Sequence, residues 1–237
     1  LQISESNAGA DSVETANVIY DLACAYLTLG AKENIDKAEE FLLRALSIKE
    51  SHLGPWDVEV SHVLLRLGSM YLEQDQFADA DECITRSMTI REAKLGKEHS
   101  RVAQCLRHLI TCYEMQEQYT KALEAGERAL AITKRVYGVE NFQVSGVLLR
   151  LGTVVLTEGK QGSTARARQL ITEALEMRKK IYKPDHRCIV ECQKILESMN
   201  PTPTTTPRPP PPPPPPFGAS SSSSSGYPGL PSPLVPM

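Results

Sequence analysis

Apolar positions through residues 11–199 follow the spacing of amphipathic helices, and the helices themselves repeat. In the stretch 58–100, Leu67, Met70, Tyr71 and Gln74 lie three and four residues apart, as do Ala80, Ile84, Ser87, Met88 and Arg91. A short polar break at Gln74–Gln76 separates the two sets. The pattern predicts a helix, a turn and a second helix. It returns 42 residues later as Leu109, Tyr113, Ala122, Ala129, Leu130, Ile132 and Gly138, and stands earlier as Leu22, Tyr26, Ala38, Ala45, Leu46, Ile48 and Gly54. A fourth copy holds Leu151, Val155, Ala167, Ala174, Leu175 and Met177. A period of this length without strand-like alternation predicts an all-α solenoid.

Two rows of small residues mark where the helices of a pair approach. Ala38, Ala80, Ala122 and Ala167 form one row; Ala45, Ser87, Ala129 and Ala174, seven residues on, form another on the same face. Gly68 and Gly152, with Ala23 and Ile110, face them from the first helix. Gly54, Gly96 and Gly138 end the second helices. The copies run from about Asp11 to Leu53, with Asp11 or Ser12 as N-cap, then Pro55 to Leu95, Lys97 to Tyr137 and Val139 to Tyr182. The first and fourth carry three extra residues, expected in the inter-helix turns at Gly30–Asn34 and Gly159–Ser163. A last helix over 187–199 is expected to cover the fourth copy.

Leu1, Ile3, Glu5, Ser6 and Gly9 match Leu46, Ile48, Glu50, Ser51 and Gly54 in place. Residues 1–10 are therefore expected to be the remnant of an upstream repeat, with a short cap as the alternative. Residues 11–199 are the expected repeat body with its capping helix. The remainder, 200–237, holds eight prolines (Pro209–Pro216) and six serines (Ser220–Ser225), a composition expected to be disordered.

The Leu-(Gly/Ala)-x-x-Tyr…Ala…Ala-Leu pattern resembles the tetratricopeptide repeat. Its 42-residue period, with second helices ending as in Leu95-Gly96-Lys97-Glu98-His99, is similar to the longer variety of kinesin light chains and nephrocystin-type proteins. The resemblance implies a right-handed α-α superhelix of helix pairs whose first helices line a concave groove. It further implies that a peptide lies along that wall, read by side chains around the motif leucine. Those positions are Asn17, Tyr20, Asp21 and Cys24; His62, Leu65, Arg66 and Ser69; Gln104, Arg107, His108 and Thr111; and Gly146, Leu149, Arg150 and Thr153. Kinesin light chains carry an Asn pair immediately before that leucine. Here the pair is replaced by Tyr20-Asp21, Leu65-Arg66, Arg107-His108 and Leu149-Arg150, which speaks against kinesin-type cargo specificity. Arg66, His108 and Arg150 fall at one register and are expected to form a basic ladder suited to an acidic peptide. The competing reading pairs Arg66 with Asp21 and lets Glu73 and Glu114 neutralise the rest.

Charge narrows the partners. All but one of 26 Lys and Arg, and all 29 Asp and Glu, precede residue 200, so the body is mildly acidic and lacks the basic footprint of a nucleic-acid binder. No apolar run spans a bilayer, and the first residues show no secretory leader. The six cysteines sit among apolar helix positions and read as reduced thiols, which with the missing leader points to the cytoplasm; a cytoskeletal or ciliary association is implied by the resemblance alone. His186, Cys188 and Cys192 have a spacing that could ligate zinc, but packing of a terminal helix explains them, so neither metal nor cofactor is expected.

No phosphate loop, paired-His metal motif or nucleophile elbow is present, so the chain reads as no enzyme. In the tail, Arg208 followed by Pro211 and Pro214 offers a candidate ligand for profilin, SH3, WW or EVH1 domains, or else an inert spacer. The leading expectation is a non-enzymatic adaptor or scaffold binding a peptide in its groove. The alternatives are a structural solenoid inside a larger assembly and the regulatory repeats of an enzyme whose catalytic domain lies upstream.

Overall fold

The computed structural model describes residues 9–200, together with Gln2 and Ser6. The expected upstream remnant, apart from Gln2, Ser6, Gly9 and Ala10, and the tail from residue 201 lie outside the described residues. The described residues form nine helices and no strand. They are α1 (Val13–Leu29), α2 (Lys32–Leu53), α3 (Val58–Glu73), α4 (Phe77–Leu95), α5 (Ser100–Met115), α6 (Tyr119–Tyr137), α7 (Phe142–Glu158), α8 (Ser163–Ile181) and α9 (Arg187–Ser198). Pairs α1–α2, α3–α4, α5–α6 and α7–α8 pack most extensively, each second helix then packs on the first helix of the next pair, and α9 closes on α8. This is the helix-pair superhelix that the period predicts.

The small residues explain the closeness of each pair. Ala38, Ala80, Ala122 and Ala167, and Ala45, Ser87, Ala129 and Ala174, are all fully buried. A Cβ at Gly68 would stand 2.4 Å from Ile84 Cγ1, and one at Gly152 would stand 2.5 Å from Ile171 Cγ1. At these two crossings only a hydrogen fits.

First helices start at side-chain caps. Ser12 Oγ accepts from the Thr15 amide, Asp57 Oδ1 from Glu59, His99 Nδ1 from Arg101, Asn141 Oδ1 from Gln143 and His186 Nδ1 from Cys188. A cap of this kind contributes about 1 kcal/mol. It also assigns His99 and His186 a structural role, and His186 stacks on Tyr182 at 4.1 Å between ring centroids.

One position of the inter-helix turn has left-handed backbone in every copy: Gly30, Asp75, Glu117 and Gly159, with φ between 59° and 69°. The three extra residues follow this position and are used in two ways. In the fourth copy they lengthen the loop, as expected, because Gly159 and Gly162 both have positive φ and α8 begins only at Ser163. In the first copy the expectation fails. Lys32 opens α2, which runs 22 residues against 19 for α4 and α6, so the insertion adds helix and leaves only Gly30 and Ala31 as turn. Lys32-Glu33-Asn34-Ile35 contains no glycine or proline to prevent this.

Candidate functional site

Side chains at the expected groove positions stand on the first helices of the pairs. Helix α3 touches α5 and α5 touches α7, so these three form a continuous wall. Along it, exposure is uneven. Leu65 is 6 % exposed, packed in the core between α3, α4 and α5, and offers the groove little surface. Leu149 is buried but lines a cavity. The equivalent position on α5 is Arg107, which is exposed. Asn17 and Asp21 are exposed on α1, and Tyr20 is half-buried, its phenol pushed up to about 12 chiefly by burial. His62 lies 3.5 Å from Glu59, yet burial holds its imidazole below the usual histidine range. The Ser69 hydroxyl is turned back to the carbonyl of Arg66.

Arg107, His108, Thr111, Leu149, Arg150 and Thr153 converge on one cavity of about 330 Å³ between α5 and α7. Gly146 completes its floor, with nothing within 4 Å of where a Cβ would stand. Two further residues, Arg178 of α8 and Glu191 of α9, close its rim. A second cavity of about 240 Å³ lies on the other side of Arg107, against Gln104, Thr133, Tyr137 and Gln143. Asn17, Tyr20, Asp21, His62, Leu65, Arg66 and Ser69 stand apart from both.

The basic ladder is not uniformly charged. His108 is pushed down to about 4, first by burial and then by the fields of Arg107, Arg91, Arg66 and Arg150, so its rung is neutral at neutral pH. Arg150 lies 3.5 Å from Glu114, as the internal-pairing reading expected. Arg66 makes no ion pair with Asp21, and its Nε is buried without a hydrogen-bond partner among the described residues. Arg107 Nη1 donates to Gln143 Oε1 at 3.1 Å, a neutral amide, and Arg107 has no carboxylate partner among the described residues. Although Arg107 is exposed as a whole residue, its guanidinium is partly withdrawn from water where it reaches Gln143, and this and the field of Arg150 hold it below the usual arginine range.

A register that the pattern analysis left unused explains why the cavities lie where they do. Lys49, Arg91, Thr133 and Arg178 occupy one position in the four second helices and are all buried. Arg91 bonds Ser61 Oγ, the Arg101 carbonyl, Gln104 Oε1 and Cys105 Sγ at 2.9 to 3.4 Å. Arg178 repeats this with Ser145 Oγ, the Cys188 carbonyl, Glu191 Oε2 and Cys192 Sγ. Lys49 instead binds Glu59 Oε2 at 2.9 Å. Each of these struts ties a second helix to the following first helix. At the third junction Thr133 only returns its hydroxyl to the Ala129 carbonyl, and Gly146 replaces the Gln104 or Glu191 partner. The strut is absent there and both cavities flank the gap. An outer ion pair also changes sense at this junction: Glu50–Arg86 and Glu92–Arg128 are followed by Lys134–Glu173. The signal in the sequence was a cation recurring at one register among the apolar positions of the second helices.

The thiols of Cys105 and Cys192 accept from these arginines, and all six cysteines are free. No group of three His, Cys, Asp or Glu among the described residues is arranged to hold a metal ion, and no described helix is long and apolar enough to cross a membrane.

Sequence profiles of the tetratricopeptide repeat match residues 16–52, 59–135 and 147–187. A TPR repeat-containing protein of Dictyostelium discoideum is 33% identical over 80 residues, which is 34% of this chain and 5% of that protein. Among solved structures, the fold is similar to the nearly identical TPR-like repeats of a Podosopora anserina protein described as a kinesin light chain (TM-score 0.65, 19% identity, 78% of this chain and 85% of that one). It is also similar to BtubC (BKLC) of P. vanneervenii, with TM-score 0.57, 14% identity and coverage of 79% and 81%. The apo form of RapI gives TM-score 0.66 at 16% identity, over 78% of this chain and 62% of that one.

Proposed function

The chain belongs to the tetratricopeptide repeat family, and from that premise we propose that it is a non-enzymatic adaptor that grips an acidic peptide segment in its groove, at the wall formed by α5 and α7. The observation that carries this reading is the cavity between Arg107 and Arg150. It gathers seven of the groove positions, and one of its guanidiniums has only an amide for a partner. A carboxylate entering there would meet two arginine forks, the Thr111 hydroxyl and the apolar Leu149 side chain. Charge-assisted, bidentate contacts of this kind are among the stronger and more directional available to a peptide ligand. The departure from the Asn pair of kinesin light chains supports a different ligand from theirs.

The test is binding of fluorescent peptides containing Asp and Glu, measured against salt concentration. Affinity should fall as salt rises. Loss of one arginine that the bound peptide desolvates should cost on the order of 2–5 kcal/mol of binding. Arg107→Gln with Arg150→Gln should therefore abolish measurable binding while leaving the melting temperature nearly unchanged, since both side chains are exposed. Unchanged binding together with a lowered melting temperature would identify the arginines as internal struts.

Two finer elements belong to the same proposal. The proline run with Arg208, Pro211 and Pro214, outside the described residues, would serve as a second ligand for a polyproline-binding domain. A reducing compartment such as the cytoplasm suits a body in which Cys105 and Cys192 are used as buried thiols.

A further inference from the structure

Helices α3, α5 and α7 each bury an apolar stripe against the second helix that precedes them. On α3 it is Val63, Leu67 and Met70, clustered with Ala38 and Leu42 of α2. On α5 it is Cys105, Leu109 and Cys112, clustered with Ala80 and Ile84 of α4. On α7 it is Val147, Leu151 and Val154, clustered with Ala122 and Ala125 of α6. None of these stripe residues is more than 2 % exposed. The same register on α1 holds Val18, Leu22 and Ala25, and the stripe continues to Leu29. Here Val18 is 37 % and Leu29 69 % exposed, Ala25 is exposed and Leu22 half-buried. Their alternating spacing of four and three residues puts them on one line along the helix.

The other end of the body is finished differently. On α7, Leu148 and Gly152 meet α8. On α9 the same register carries Gln193 and Glu197, both exposed. A terminal helix with a polar outer face is complete in water, whereas an apolar stripe marks an interface.

We propose that the outer face of α1 is a docking surface for an amphipathic helix of a partner protein, seated on Val18, Leu22, Ala25 and Leu29 as α2 is seated on α3. The chemistry of the occupant follows from the helices that cover the equivalent stripes. Each brings an alanine to the crossing, Ala38, Ala80 or Ala122, and two of them bring Leu42 or Ile84 four residues later. The partner helix presents the same step, an alanine with leucine or isoleucine one turn on. Residues 1–9 do not carry it, because they match 46–54, which follows Ala38 and Leu42 in α2. A second copy fits poorly. Its second helices are already engaged on both sides, and its own α1 carries Glu14 and Asp21 with no Lys or Arg. Two such faces laid together would oppose like charges, while Lys or Arg beside the partner's apolar line would meet opposite ones. The surface is separate from the cavity between α5 and α7 and does not depend on the groove reading.

The probe is a fluorescent peptide of residues 32–53, the α2 sequence, with a staple linking the exposed positions 36 and 40. The staple holds it helical, since isolated helices of such length are marginal in water. Its twin carries Leu42→Asp. Titrated into the whole chain and read by anisotropy, the peptide should bind saturably. The twin should bind at least roughly tenfold more weakly, because it would bury an unpaired carboxylate. Val18→Asp with Ala25→Asp in the chain should weaken the peptide by roughly tenfold or more for the same reason. The melting curve of that variant should stay close to the parent's, because both positions face water in the free chain. An excess of an acidic groove peptide should not displace the helix. Binding that survives the double substitution would mean that the peptide exchanges with the chain's own α2, and would overturn the proposal. Absence of saturable binding overturns it as well. Sedimentation of the chain alone is the last check: a dimer abolished by Val18→Asp would make a second copy the occupant and overturn the assignment to a partner helix.

Discussion

Replacing glycine by alanine at three places in the first helices should give opposite results, because the same methyl group meets different surroundings. In a helix interior the change alone is worth about 1 kcal/mol in favour of alanine. At Gly146 nothing lies within 4 Å of the new Cβ, so Gly146→Ala should stabilise by about that amount. At Gly68 the Cβ would stand 2.4 Å from Ile84 Cγ1 and 3.2 Å from the Ala80 carbonyl oxygen, well inside the ~3.5–4.0 Å at which carbon atoms rest. Ile84 is fully buried and cannot swing away, and the carbonyl belongs to the backbone of α4. Overpacking of this kind costs about 1–3 kcal/mol, which outweighs the helical gain. Gly152→Ala should behave likewise, since Ile171 and Ala167 occupy the matching places. Urea denaturation of the three single variants should separate Gly146→Ala from the other two by about 1–3 kcal/mol, and thermal melting by several degrees. In an Ile84→Ala background the penalty of Gly68→Ala should largely vanish, because the atom it strikes is gone. Equal stabilisation by Gly68→Ala and Gly146→Ala would refute the register in which the helix pairs are packed.

The strut at Arg91 gives a second expectation. Arg91→Ala should cost about 3 kcal/mol or more in urea titration through the cavity it leaves, whereas Arg91→Met, which refills the volume and orphans no buried donor, should cost about 1 kcal/mol. Equal losses would mean that the hydrogen bonds rather than the packing hold the junction. The Lys49–Glu59 contact gives a third, in acid. The hydrogen bond from the Lys49 ammonium holds the Glu59 carboxyl below the usual carboxylate range, so its contribution is present above the unfolded value near 4.5 and is lost as pH falls through the lower folded value. Its half-exposed carboxyl keeps the effect modest. Stability curves of Glu59→Gln should be flatter than those of the parent below that pH, and parallel curves would dismiss the contact as a source of acid sensitivity.

Much of the fold was legible in the chain because its determinants are local and repeated four times. A small residue is needed wherever two helices cross closely, so Ala80 and its equivalents recur at the register of the crossings. A capping side chain opens each first helix, and Ser12, Asp57 and Asn141 accordingly stand just ahead of the apolar pattern. The destination of an insertion was less legible. Nothing within the periodic pattern says whether three residues will extend a loop, as at Gly159–Gly162, or a helix, as at Lys32, until the glycines and helix formers around the left-handed turn position are weighed. The positions facing the groove were legible from the repeat, but their chemistry was not. Whether His108 carries a charge depends on guanidiniums brought from α3, α4 and α7, residues 42 apart or otherwise distant in sequence, and on the burial that the wall imposes. Whether Arg66 finds Asp21, or Arg150 finds Glu114, depends on side-chain reach between helices that the period aligns but does not orient. The missing strut at Thr133 is a difference of one residue in the sequence, and becomes a gap with a cavity on either side only once α6 is set against α7. Periodicity determines which residues share a face; only the tertiary arrangement decides which charges are shared across helices and which are left without a partner.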